Sequence, residues 1–156
     1  MTDAMTAERS APESLPTASA VYDAAHGGAM ASARAFTADF LVSALSLPGG
    51  PVADERVELA QLVVSELVTN AVRHAAGSCR LLLELRRDAL DISVFDREPA
   101  FPVPRGHDPR RIGQHGVEIV LAVCESLTVE PGTDGKRVRA RLALRPAPTD
   151  TTEQTD

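Results

Sequence analysis

The sequence predicts an α+β fold, a two-layer sandwich with helices on one face of a mixed, mostly antiparallel sheet. Three observations carry this reading. Apolar residues recur at three- and four-residue steps through 30–45 and again through 54–76, the spacing of two amphipathic helices. Apolar and polar residues alternate through 90–96, directly after an apolar run at 79–86 and a tight connection at Arg87-Asp88, the pattern of a β-hairpin. The chain has 156 residues, 44% of them hydrophobic, which suits one domain with one core.

Taken in order, a short strand is expected at 18–24. The helix over 30–45 should bury Ala33, Phe36, Phe40, Leu41 and Ala44, and the run Leu47-Pro48-Gly49-Gly50-Pro51 should stop it. Asp54 is the expected N-cap of the next helix, whose apolar face is Val57, Ala60, Val64, Leu67 and Ala71, with Gly77 closing it. The hairpin 79–86 and 90–96 follows. Residues 97–113 hold four prolines and many charges, so a long functional or mobile loop is expected there. A short helix at 117–124 and strands at 126–129 and 137–144, around the turn at 131–135, complete the domain 18–145. The ends, 1–17 and 146–156, are rich in Pro, Thr and acidic residues and are expected to be disordered.

Composition narrows the function. Aromatics make up 3% and Trp is absent, so the core must be built from Leu, Val, Ile and Ala. A formal charge of −6 argues against nucleic acid as a partner, since a phosphate-backbone binder needs a basic surface. Cys79 and Cys124 sit in apolar stretches without metal-ligand spacing and read as small buried hydrophobes. The N-terminus has no continuous apolar segment, and no run approaches the length of a membrane span, so a cytoplasmic protein without membrane association is expected.

The chemistry concentrates on the second helix. Glu66, Asn70 and His74 recur at four-residue steps and form a polar ridge beside the apolar face. An Asn oxygen can serve a hard cation such as Mg²⁺, and a Glu one turn away can orient or deprotonate a nucleophile. Spacing alone leaves two readings open, a solvated ridge or a ligand platform. His74 reads as a packing or capping residue at the helix end. His107 and His115 lack metal-ligand spacing.

Residues 65–75, SELVTNAVRHA, closely resemble the first signature box of GHKL (Bergerat-fold) ATP-binding domains, and more narrowly that of anti-sigma-factor serine kinases and their short bacterial relatives. The resemblance implies that Glu66 is the general base and that Asn70 holds Mg²⁺ against the phosphates of ATP. Val94-Phe95-Asp96 is similar to the adenine-binding box, so Asp96 would accept from the adenine amine. Gly113-Gln114-His115-Gly116 resembles the glycine-rich hinge before a helix, which would bring Gly113 and Gly116 close to the phosphates. Arg105, Arg110 and Arg111 in the intervening loop could neutralise phosphate charge.

Three positions depart from the family pattern. Glu98 stands where a glycine usually follows the adenine aspartate, Gln114 and His115 thin the glycine box, and Arg137 replaces a hydroxyl residue at the opening of the last strand. The leading expectation is an ATP- and Mg²⁺-dependent serine/threonine kinase that phosphorylates an antagonist protein and sequesters a sigma factor, with a homodimer as the arrangement relatives commonly adopt. The alternative is a non-catalytic partner-binding module with a degraded nucleotide pocket. A sensor histidine kinase fits less well, because no phospho-accepting histidine helix precedes the box.

Overall fold

The computed structural model describes residues 16–23, 28–43, 51–74, 78–97, 115–132 and 135–145. They form five strands and three helices in the order β1 (Thr17–Asp23), α1 (Ala29–Val42), α2 (Asp54–His74), β2 (Ser78–Leu85), β3 (Ala89–Asp96), α3 (His115–Val123), β4 (Ser126–Gly132) and β5 (Gly135–Ala143). The strands make one sheet in the order β1-β2-β3-β5-β4. Among the described residues every pairing is antiparallel, so the sheet expected to be mixed but mostly antiparallel has no parallel pair there. The expected tails, apart from Pro16 and Thr17, lie outside the described residues, as do Ala44, most of the stop at 47–51, Gly77 and the loop from 98 onward.

Strand alternation sorts side chains into cross-sheet rows. On the inner face, Ala20, Leu81, Val94, Val138 and Val129 form one row and Ala18, Leu83, Ile92, Ala140 and Leu127 the next. These pack against Ala33 and Leu41 of α1, Ala60, Val63, Val64, Leu67, Val68 and Ala71 of α2, and Val120 of α3, which together form a single core. The buried stripe of α2 is thus wider than the expected face, gaining Val63 and Val68, while Val57 is only partly buried. In α1, Phe36 and Phe40 pack at the core margin and Thr37 is buried instead, its hydroxyl donating to the Ala33 carbonyl at 2.8 Å.

The helix starts depend on backbone chemistry. Gly28, at φ 90°, adopts the left-handed conformation that turns the chain into α1. Asp54 is not the N-cap of α2: the Ala53 carbonyl accepts the first helical N–H bonds, from Arg56 at 2.9 Å and Val57 at 3.1 Å. Asp54 and Glu55 occupy the first turn instead, where negative charge offsets the positive end of the helix dipole. Arg56 also donates to the Ala143 carbonyl at 3.4 Å, tying the start of α2 to the end of β5. The helix therefore runs towards the opposite end of the strands, where β2 begins and β3 ends.

The outer face carries the structure's main electrostatic feature. β3 is buried on both sides, and Asp91 on its outer side is fully buried. Its carboxylate accepts from Arg86 Nε at 2.9 Å, Arg139 at 2.9 Å and Arg141 at 2.7 and 3.0 Å. Burial alone would raise its pKa, but the hydrogen bonds from Arg141, Arg139 and Arg86 outweigh it and hold the carboxyl well below the usual range. One row over, Arg137 donates to Ser93 Oγ at 3.1 Å, and both Arg80 and Arg137 lie over the Phe95 ring, at 4.2 and 5.2 Å from its centre.

Replacing Asp91 with Asn leaves three guanidinium groups facing a neutral amide. A loss of about 3 kcal/mol is expected, the low end for breaking a buried pair because the arginines keep partial solvent contact. The folded pKa lies below the unfolded value of about 4, so the contribution is complete above that value and drains as pH falls below it. Urea unfolding should show the gap between wild type and Asp91→Asn narrowing from pH 6 to pH 3. A gap that stays constant would contradict the assignment.

Candidate functional site

Glu66 and Asn70 lie one turn apart in the second half of α2, both half-buried at the edge of the apolar stripe. Two other polar residues of the signature segment, Ser65 and Thr69, have structural duties. Thr69 Oγ1 donates to Met30 Sδ at 2.8 Å, and Ser65 Oγ accepts from Arg34 at 3.3 Å. Gln61, one turn earlier, donates to the Arg34 carbonyl at 3.1 Å. These bonds fasten α1 to α2 and fix the rotation of the helix that presents Glu66, a role that sequence pattern did not reveal.

Glu66 meets α3 directly. The backbone of Gly116, in the first turn of α3, is packed so tightly on the Glu66 side chain that an added Cβ would overlap Oε1 and lie 3.4 Å from Cδ. Gly116 is therefore required by a carboxylate approaching a helix start, whose free N–H groups and dipole favour the negative charge. This brings the first and third sequence boxes together. α3 starts two residues earlier than expected, at His115, and Gly113 lies outside the described residues with Glu98, Arg105, His107, Arg110, Arg111 and Gln114.

Asp96 closes β3 on the inner face, in the terminal row Tyr22, Cys79, Asp96, Lys136 and Pro131. This row carries a charged pair, Asp96 and Lys136, where the preceding two rows are wholly apolar, which marks this end of the sheet as the place for polar chemistry. The Asp96 carboxylate accepts from Lys136 Nζ at 3.0 Å, with the two side chains only 2% and 7% exposed. Gly135 enforces that neighbourhood, because a Cβ there would overlap the Asp96 carbonyl. Lys136 was not singled out from the sequence, although its strand parity with Asp96 would have found it. Arg137, expected inside the nucleotide pocket, points the other way. Strand alternation puts it on the outer face with Ser93, Phe95 and Glu84, so it does not fill the pocket.

Burial pushes the Cys79 thiol up to about 11, with a further contribution from the Asp96 charge, and burial and Glu125 raise Cys124 to about 11 as well. Both are free cysteines held as thiols; Cys79 is buried as expected, whereas Cys124 is only half-buried at the core margin. A cavity of about 500 Å³ wraps around this end of the sheet: Val21, Arg80, Phe95 and Arg137 line it from the outer face, and Asp96 and Lys136 from the strand ends.

Among the described residues, no group of three or more His, Cys, Asp or Glu side chains could hold a metal ion by itself. The donor chemistry of Asn70 beside Glu66 instead fits a cation such as Mg²⁺, which takes one or two protein oxygens and draws its other ligands from water and phosphate. No described helix is long and apolar enough to cross a membrane.

Comparison with known proteins gives the family of the chain. The family model described as histidine kinase-like ATPase domain matches residues 24–142. No curated protein matches the chain. Among solved structures, the chain is similar to the Acinetobacter baumannii histidine kinase AdeS, at 15% identity and a TM-score of 0.46, over 92% of this chain and 76% of that one. The chain belongs to the histidine kinase-like ATPase family, the GHKL group of ATP-binding domains.

Proposed function

We propose that this protein is an ATP- and Mg²⁺-dependent serine/threonine kinase of the anti-sigma type, acting in the cytoplasm on an antagonist protein and sequestering a sigma factor. The observation that supports it best is the Glu66 carboxylate, half-buried on α2, held against the start of α3 and one turn from Asn70. A carboxylate fixed in this way can take the proton of an incoming Ser or Thr hydroxyl as its oxygen bonds to the γ-phosphorus and the bond to the ADP leaving group breaks. Asn70 would supply a neutral oxygen to Mg²⁺, which neutralises phosphate charge when bound. The Gly116 turn would place backbone N–H groups beside the phosphates.

One observation favours a second reading, a partner-binding module without phosphoryl transfer. The Asp96 carboxylate, assigned to the adenine amine, is engaged by Lys136.

Titration with ATP and Mg²⁺, followed by thermal unfolding, separates the two. Nucleotide at a hundred times its Kd should stabilise the fold by about 2.7 kcal/mol, and the absence of a shift at millimolar nucleotide would sink the kinase reading. In a transfer assay with a candidate antagonist, Glu66→Gln should lower the rate by about 10²- to 10⁴-fold while sparing ATP binding. Asn70→Ala should lose the Mg²⁺ dependence of binding; unchanged dependence would remove its assigned role. Gly116→Ala gives a test with opposing terms. Helix propensity favours Ala by up to about 1 kcal/mol, whereas overlap with Glu66 opposes it. A lower thermal midpoint with reduced transfer is expected, and a stabilised, fully active variant would show that Glu66 does not depend on this contact.

A further inference from the structure

The Lys136–Asp96 pair bears on how the site takes a nucleotide, and the inference drawn from it rests on the ATP-site reading above. The Asp96 carboxylate receives an ammonium at 3.0 Å, and both groups are buried. A hydrogen bond between full charges is roughly twice as strong as one from a neutral donor. The exocyclic amine of a purine is such a neutral donor and cannot displace Lys136 from that oxygen on equal terms.

The backbone gives the pair little freedom to separate. Asp96 and Lys136 are cross-strand neighbours at the last register position of β3 and β5. Gly135 is pressed onto the Asp96 carbonyl, which fixes the start of β5 against the end of β3. Strand movement therefore cannot release the carboxylate, and rotation of the four-carbon lysine stem can.

We propose that Lys136 is a built-in competitor at Oδ1 of the purine-binding carboxylate, so that a purine amine takes that oxygen only as Lys136 gives it up, and affinity is held below what the site would otherwise reach. The direction of this effect is diagnostic. Removing a positive charge would, by net charge alone, weaken binding of an anionic nucleotide. A gain in affinity on removing Lys136 must then come from releasing the carboxylate.

The test is calorimetric titration of the full chain with ATP and Mg²⁺, wild type against Lys136→Gln, which keeps a neutral donor for Asp96. The variant should bind tighter by at least about tenfold, the low end of what a hydrogen bond to a charged group contributes. Wild-type binding with an equal or weaker Lys136→Gln affinity overturns the competitor role and leaves the ATP reading intact. Absence of binding in both proteins at millimolar nucleotide overturns both.

Should Lys136→Gln not fold, the wild type carries the test. The Lys136 side-chain ammonium, followed by ¹⁵N NMR, should be protected from exchange without nucleotide and should lose that protection at saturating ATP. A resonance unchanged by saturation overturns the proposal.

Discussion

The seating of α2 on the sheet is the constraint on which the site depends. A wide stripe from Ala60 to Ala71 is buried against the inner rows of the sheet, and α1 is bonded to the flank of the same helix through Thr69, Ser65 and Gln61. With both sides held, the helix cannot roll, and two half-buried polar residues at the margin of the stripe keep fixed directions. A chemical platform needs this kind of support, since small misplacement of a catalytic group costs far more rate than stability. The anchoring bond from Arg56 to β5 sets the direction in which the helix crosses, and so brings Glu66 and Asn70 towards the polar end of the sheet.

The two faces of the sheet solve different problems. The inner face is apolar except for its terminal row and forms the core by burial. The outer face has no helix over it among the described residues, yet β3 is covered there too, by arginine stems from β5 and the turn after β2 that converge on Asp91 and Ser93. Long arginine side chains can shield a strand while keeping their charged ends partly in water. The protein is acidic overall, but its outer face is organised around arginine.

Much of this was legible in the sequence. The helical spacing around Glu66 and Asn70 and the alternation through Ile92 and Val94 gave the elements, because one period separates helix from strand. What escaped was governed by strand parity and long-range pairing. Arg137 was expected in the pocket, but a shift of one residue along a strand reverses the face, and Lys136 takes the inward position instead. Asp91 reads as an exposed polar residue in an alternating strand; its burial depends on Arg139 and Arg141, some fifty residues away. Gly116 was legible as a glycine needed for close approach, but not that the neighbour is Glu66 from another helix.

Among the described residues β1 pairs only with β2, its partner more than fifty residues further along the chain, with both long helices between them. The hairpins β2–β3 and β4–β5 close over short connections and can form early, whereas β1 must await a strand made well after it. Closing so long a loop has an entropic cost before any ladder bond is gained. Of the five described strands, the earliest to leave the ribosome is thus among the last to find its place, and during synthesis the edge of β2 stays open to other extended chains until β1 covers it.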